Sequence, residues 1–130
     1  MRKRVDVASE WGAKIGYSRA VRVGSLIVVS GTSAGSPSGV LHRGDAEGQA
    51  DVVLSRIGDA LSELGATLDD VVETRVFLRD MADWQAVGRA HARAFATARP
   101  ATTLLQAGAL IDPDMLVEIA ATAVVEERAP

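Results

Sequence analysis

The sequence predicts an α+β domain in which two helices cover one face of an antiparallel or mixed sheet. β-type runs and helical apolar patterns alternate in the order β-β-α-β-α-β-β, and a further strand is allowed before residue 10. The 130 residues suit one domain over 1–130, in which residues 1–14 and 127–130 are expected to be tail-like. The predicted strands are also apolar on both faces, although two helices can cover only one of those faces.

The first two strands form a predicted hairpin. Residues 20–23 and 26–30 are β-type runs, and Gly24-Ser25 lies between them. A two-residue connection that begins with glycine suits a type II′ turn. The glycine-rich segment 31–44 that follows is typical of a loop.

The first helix has the clearest signals in the chain. Asp45 suits the N-cap, and Gly65 suits the left-handed position that follows the last turn. Between these two residues the apolar side chains recur at helical spacing, at Ala50, Val53, Leu54, Ile57, Ala60, Leu61 and Leu64.

A second helix is predicted to begin after Asp80 or Asp83 and to end before Pro100. Its apolar stripe is expected to pack on the sheet, with Gly88 allowing a close approach. The stripe comprises Trp84, Val87, His91, Phe95 and Ala98. Trp84 is interpreted as a core residue. His91 is interpreted as a core histidine with satisfied hydrogen bonds, with catalysis as the alternative.

Three further strands are predicted over residues 70–78, 101–106 and 115–125, the last two joined by a turn at Asp112-Pro113-Asp114. In the last strand both faces are apolar, and Glu118 alone interrupts the second face. A sheet with one face in water would alternate apolar and polar residues more cleanly. The pattern therefore predicts a homo-oligomer whose subunits bury the second face.

Composition excludes several classes of function. A net charge of −3 argues against a nucleic-acid partner, which a basic surface would favour. The absence of cysteine and the presence of only two histidines exclude cysteine-based and histidine-rich metal sites. Since the sequence shows neither a membrane-spanning run nor a signal peptide, a cytoplasmic protein with no membrane partner and no bound metal is expected.

Four segments, in this order, are similar to the RidA/YjgF family of reactive-intermediate deaminases. Residues 17–31 contain Tyr-Ser-Arg-Ala-Val-Arg-Val-Gly and then an apolar strand that ends in Ser-Gly. Residues 74–80 read Thr-Arg-Val-Phe-Leu-Arg-Asp, and residues 99–103 read Arg-Pro-Ala-Thr-Thr. Val-Glu-Ile at 117–119, followed by alanines, resembles the closing strand. The similarity covers roughly residues 15–126.

The resemblance implies a chorismate-mutase-like fold and a homotrimer whose sheets form a central barrel. It implies three small-molecule sites in clefts between subunits, with no cofactor. Members of the family hydrolyse reactive enamines and imines that pyridoxal-phosphate enzymes release. Tyr17, Ser30 and Gly31 correspond to cleft positions of the family, although Ser30-Gly31 could merely end a strand and Tyr17 could merely pack at an interface.

The chain departs from the family at two polar positions. Counted from Pro100 without gaps, the arginine that binds the substrate carboxylate in the family falls on Ala109. The loop that follows, beginning at Leu110, is one residue longer than in the deaminases. A second acidic residue of the closing strand is Ala120 here. Since alanine cannot pair with a carboxylate, we expect poor hydrolysis of 2-imino acids.

Three charged residues are candidates for the altered site. Arg19 and Arg75 could replace the missing cation, or each could form an ordinary ion pair at a surface or interface. Glu118, in an apolar strand, could be a general acid or base with a raised pKa, or could form an ion pair between subunits.

Three functions remain open from the sequence. The first is a small-molecule site between subunits, with or without catalysis. The second is an enamine or imine deaminase with a substitute cation. The third, an RNA-directed endoribonuclease or translation inhibitor, has no support in a chain without a basic stripe or paired histidines for acid–base cleavage.

Overall fold

The computed structural model describes residues 1–126, so the expected tail at 127–130 lies outside the described residues. The strands are β1 (Arg2–Val5), β2 (Ala20–Val23), β3 (Leu26–Thr32), β4 (Val71–Leu78), β5 (Ala101–Gln106) and β6 (Val117–Val124). The helices are α1 (Trp11–Ile15), α2 (Ala46–Glu63) and α3 (Trp84–Ala94). Residues 1–14, expected to be tail-like, therefore contain an edge strand and most of a short helix.

The six strands form one mixed sheet in the order β1-β2-β3-β6-β4-β5. All neighbours are antiparallel except β4 and β5, which α3 connects and which run parallel. A parallel pair needs a crossover of this kind, because a tight turn can join only antiparallel strands. The predicted α+β class with a mixed sheet is confirmed.

The β2–β3 hairpin has the predicted two-residue connection, with Val23 paired to Leu26. Gly24 has a φ of 60°, whereas Ser25 does not adopt a positive φ. A positive φ at the first central residue alone is the pattern of a type II′ turn. The predicted turn type is therefore confirmed.

Helix α2 forms as its sequence signals predict. The backbone N–H of Gly48 donates to the Asp45 side chain at 2.9 Å, and Gly65 has a φ of 80° after the last turn. The helix buries its apolar stripe, including Val53, Ile57 and Leu61, against the sheet. Complete burial of one such side chain stabilises the fold by roughly 1.5–3 kcal/mol.

Helix α3 differs from the prediction in two respects. Trp84 is 51% exposed, and a β-carbon built on Gly88 would meet no heavy atom within 4 Å. The buried stripe instead runs through Val87, Ala90 and Phe95. The buried stripe shares Val87 and Phe95 with the predicted one but leaves out Trp84. The expectations of a core Trp84 and of close packing at Gly88 were therefore wrong.

The sheet face that the helices leave uncovered, here called the outer face, is apolar. Exposed apolar side chains lie on five of its positions, at Val23, Leu26, Val28, Leu105 and Val124. Side chains alternate between faces along a strand, so these residues are separate from the core beneath the helices. The apolar second face expected from the sequence is present in the single chain.

Candidate functional site

Four predicted residues form a cluster on the outer face, here called the Arg19 cluster: Arg19, Ser30, Gly31 and Glu118. The Arg19 guanidinium donates from Nη2 to the Ser30 hydroxyl and to the Gly31 carbonyl. The Ser30 hydroxyl in turn donates to the Arg19 carbonyl at 3.1 Å. The backbone N–H of Ser30 also donates to this carbonyl, which extends the β2–β3 pairing by one residue.

Glu118 enters the cluster from β6. The residues on either side of it, Val117 and Ile119, are buried under the helices, so strand alternation directs Glu118 to the outer face. A β-carbon on Gly31 would lie 3.0 Å from the Glu118 carboxylate oxygen Oε1. Glycine at position 31 therefore makes room for the carboxylate.

Burial controls the charges of the cluster. Burial raises the pKa of the Glu118 carboxyl, and the positive charge of Arg19 opposes this rise. Burial lowers the pKa of the Arg19 guanidinium, Tyr17 and Glu118 raise it, and Arg56 lowers it. A half-buried carboxyl with a raised pKa beside a cation can exchange a proton with a ligand more readily than an ordinary surface carboxylate.

Arg19 has unused hydrogen-bonding capacity. Its Nε atom is buried and has no hydrogen-bond partner among the residues that the structure describes. A buried donor without a partner costs roughly 1–3 kcal/mol, and in native structures such a group calls for an explanation. The cluster thus offers a cation, a hydroxyl and a carboxyl to a small polar molecule.

Tyr17 lies close enough to the Arg19 cluster to raise the pKa of the Arg19 guanidinium. The other predicted site residues, Arg75, Ala109 and Leu110, are not brought into the cluster. Arg75 lies on the outer face but is exposed, and its ion pair is with Glu73 at 4.0 Å. Ala109 is exposed in the loop after β5, and Leu110 packs with Ala34, Val40 and Met115 in a small separate apolar cluster. Leu110 therefore has a packing role in the single chain.

Sequence reasoning missed Gln49, which is fully buried on α2. Its amide donates to the carbonyls of His42 and Asp114, and its oxygen accepts the backbone N–H of Leu116 at 2.8 Å. It thereby ties the loop before α2 to the loop that carries Ala109. A glutamine on the apolar stripe of α2, three residues after Ala46 and four before Val53, was the available signal.

Arg56 of α2 was missed as well. It donates from Nη1 to the carbonyls of Ser33 and Gly35, both at 2.7 Å, and so fixes the loop that leaves the Arg19 cluster. No pattern in the sequence distinguishes it from Arg89 and Arg93, the exposed arginines of α3. Only the fold shows that its side chain reaches this loop.

A pocket of about 590 Å³ lies on the opposite face of the sheet, between α3 and β5. Its polar residues include His91 and Thr102, and Gly88 and Arg99 also line it. His91 Nε2 lies 2.8 Å from the Thr74 hydroxyl, which lies 2.8 Å from the Thr102 hydroxyl. The hydrogen bonds expected for a core histidine are present, but the ring is only half-buried and lines the pocket.

Within residues 1–126, no group of acidic or histidine side chains is arranged to hold a metal ion. None of the helices in the same residues is long and apolar enough to span a membrane.

Comparisons with known proteins identify the relatives of the chain. The model of the family described as Endoribonuclease L-PSP matches residues 8–125. The chain is 39% identical to 3-aminoacrylate deaminase RutC of Acinetobacter baylyi over 108 residues, which cover 82% of this chain and 85% of the relative. It is 37% identical to SCO2049 of Streptomyces coelicolor over 117 residues, which cover 90% and 87% of the two chains.

A solved structure shares both fold and sequence with the chain. Rv2704 of Mycobacterium tuberculosis, a member of the YjgF/YER057c/UK114 family, superposes with a TM-score of 0.86 at 46% identity. The superposition covers 96% of this chain and 100% of Rv2704. The match therefore concerns nearly the whole chain.

Proposed function

The chain belongs to the RidA/YjgF (Endoribonuclease L-PSP) family, and from this premise we propose that it is a homotrimer that binds a small molecule in clefts between subunits. The observation that carries the proposal is the Arg19 cluster. It gathers a guanidinium, a hydroxyl and a carboxyl on the face of the sheet that the helices leave uncovered.

Each cleft, in this proposal, combines two half-sites from different subunits. The Arg19 cluster and the α3–β5 pocket lie on opposite faces of one sheet, so one chain cannot present both to the same ligand. A neighbouring subunit packed on the outer face would bring the two together. The buried and unpaired Nε of Arg19 supports this arrangement, because a ligand or a neighbour could supply its missing acceptor.

Within the cleft, each of these residues would have a different chemical role. Arg19 would orient a polar or negatively charged group of the ligand, and Ser30 would hold the guanidinium in place. Glu118, whose pKa burial raises, would donate or accept a proton if the ligand reacts. Tyr17 is close enough to Arg19 to raise the pKa of its guanidinium, and the Tyr17 phenol would contact the ligand.

We infer that activity on 2-imino acids is weak, because the family's arginine position falls on Ala109 in the sequence. A charge-assisted hydrogen bond to a carboxylate contributes roughly 1.5–3 kcal/mol. Its loss would lower kcat/KM about 10- to 150-fold. The exposed position of Ala109 leaves room for an arginine side chain there.

A second candidate function is a full enamine or imine deaminase in which Arg19 is the substitute cation. The contact of its guanidinium with Ser30 and Gly31 favours this candidate, as does the identity of 39% to a relative named 3-aminoacrylate deaminase. In this case the Arg19 guanidinium would bind the substrate carboxylate while water attacks the imine carbon.

One assay separates the two candidates. An amino-acid oxidase generates 2-iminopropionate from alanine, semicarbazide traps the imine, and the protein competes for it. The first candidate predicts slow competition that Ala109→Arg increases. Rapid competition that Arg19→Gln abolishes would support the second candidate and contradict the first. Rapid competition that survives Arg19→Gln would contradict both assignments of the cation.

A further inference from the structure

Within residues 1–126, His91 is the only side chain of α3 that hydrogen-bonds to the sheet. We propose that this contact is acid-sensitive, so that protonation of the His91 ring releases the end of α3 and the turn at 95–100 from strands β4 and β5. The inference goes beyond the proposed function, because it concerns how the α3–β5 pocket opens and does not depend on what the pocket binds.

The contacts of His91 span three elements. Its Nε2 atom lies 2.8 Å from the Thr74 hydroxyl of β4, and Thr74 is fully buried. The Thr74 hydroxyl lies 2.8 Å from the Thr102 hydroxyl of β5, which is 3.5 Å from His91 Nε2. The imidazole also packs on the Phe95 ring at the end of α3, with 4.6 Å between the ring centroids. His91 therefore connects the crossover helix to both of the strands that it joins.

The hydrogen bonds of this group have one consistent direction, because each hydroxyl carries a single hydrogen. The Thr102 hydroxyl donates to the Pro100 carbonyl at 3.2 Å, so it accepts from the Thr74 hydroxyl. The Thr74 hydroxyl therefore accepts from the N–H at His91 Nε2. In the neutral imidazole the other nitrogen, Nδ1, then carries no hydrogen, and acid adds its proton there.

The surroundings of His91 disfavour the charged form of its ring. The strand residues that line the pocket beside it, Val76, Thr102 and Leu104, carry no ionisable group. Within residues 1–126, Arg99 is the only charged residue of the pocket lining, and it offers an imidazolium a like charge. Burial lowers the pKa of His91. A proton on Nδ1 therefore costs more free energy in the folded contact than on a ring in water.

The carboxylates of α2 that face α3 do not compensate this charge. Glu47 and Asp51 both bind Arg93, and Glu47 also binds Arg89. Within the part of the chain that the structure describes, no carboxylate forms an ion pair with the His91 ring. A proton that His91 takes up in acid therefore has no acidic partner in the folded contact.

The segment that follows His91 is held by few contacts. β5 is the last strand of the sheet and pairs with β4. The turn before β5 contains Arg99 with a φ of 44°, a left-handed conformation that residues with a β-carbon rarely adopt. The backbone N–H of Arg99 donates to the Phe95 carbonyl at 2.9 Å and holds this turn. Edge segments of this kind open locally more often than the core does. Release would widen the α3–β5 pocket, because His91, Phe95 and Arg99 all line it.

Proton linkage gives the direction and the limit of the effect. The released ring has the ordinary histidine pKa of about 6.5, whereas the ring in contact with Thr74 has a lower pKa. The released form therefore binds more protons, and its population rises as pH falls below about 6.5. The rise ends below the pKa of the ring in the folded contact. In total the released population increases about tenfold for each pH unit between the two pKa values.

The test measures amide hydrogen exchange of the purified protein from about pH 8 to about pH 5, on both sides of the ordinary histidine pKa. The intrinsic exchange rate at each pH is divided by the measured rate, which gives a protection factor. Protection should fall in acid at residues 95–104 and stay constant in the middle of α2. A nuclear magnetic resonance titration of the His91 ring gives its pKa in the folded protein, and this pKa fixes the expected loss of protection in advance.

One variant and one matched control assign the effect to His91. His91→Gln retains an amide that can donate to Thr74 but does not titrate, so its protection factors should not fall in acid. His42→Gln removes the other histidine of the chain and should behave as the parent protein does. An ordinary or raised pKa of His91, protection at 95–104 that does not change with pH, or an acid-dependent loss that persists in His91→Gln would each overturn the inference. The first two results need only the parent protein, so they decide the matter whether or not His91→Gln folds.

Discussion

The carboxylate of Glu118 rests directly over Gly31, and a β-carbon on Gly31 would approach its Oε1 to 3.0 Å and its Cδ to 3.1 Å. Gly31→Ala should therefore displace Glu118 and lower the free energy of unfolding by about 1 kcal/mol. Chemical denaturation measures the effect, and a double-mutant cycle with Glu118→Ala assigns its cause. If the cost of Gly31→Ala persisted without the carboxylate, the clash would lie elsewhere.

The raised pKa of Glu118 predicts a pH-dependent stability. A carboxyl whose pKa is higher in the folded than in the unfolded state binds more protons when folded. Its contribution is therefore greatest in acid and is lost as pH rises through the folded pKa. Glu118→Gln should match the parent at acidic pH and be the more stable protein at neutral pH. An equal difference in stability at both pH values would contradict the raised pKa.

The apolar outer face predicts a trimer. Light scattering should give three times the subunit mass of 13.6 kDa. Val28 lies on this face and is 42% exposed in the single chain, so Val28→Lys should dissociate the assembly. Ser55→Lys places the same charge on the exposed side of α2 and should leave the trimer intact. A monomeric parent protein would contradict both the trimer and the clefts.

Gln49 joins two loops and the start of β6 through three hydrogen bonds. The His42 carbonyl also accepts from the backbone N–H of Asp45, so Gln49→Leu would leave two backbone groups without partners, the Asp114 carbonyl and the Leu116 N–H. The cost should be roughly 2–6 kcal/mol if each group costs 1–3. Thermal denaturation should show this loss, whereas Gln85→Leu on the surface of α3 should change stability by less than about 0.5 kcal/mol. A Gln49→Leu variant as stable as the parent would mean that water replaces these bonds.

Most of the fold was predictable because its signals are local. The N-cap at Asp45, the turn at Gly24 and the end of α2 at Gly65 each depend on a few neighbouring residues. The exposure of Trp84 was not predictable, because the way α3 packs in the fold decides which of its side chains are buried. A rotation of α3 about its own axis by about one residue changes which side chains are covered. The sequence pattern is compatible with the predicted stripe and with the observed one.

The site was predictable only where residues share neighbouring strands. Arg19, Ser30 and Glu118 come together because β2, β3 and β6 are adjacent in the sheet. The pocket beside β5 depends on an absent side chain at Gly88 and on a left-handed arginine at position 99. Glycine at position 88 is visible in the sequence, but it indicates close packing as readily as an open pocket. The backbone angle of Arg99 has no pattern in the sequence, because it arises from packing.

Strand β1 places three basic side chains, Arg2, Lys3 and Arg4, along the free edge of the sheet. An open edge exposes backbone donors and acceptors that can pair with the edge of another molecule and start aggregation. Like charges on such a strand repel a second copy before its backbone can align. The basic residues of β1 thus disfavour fibril-like association of the protein through this edge.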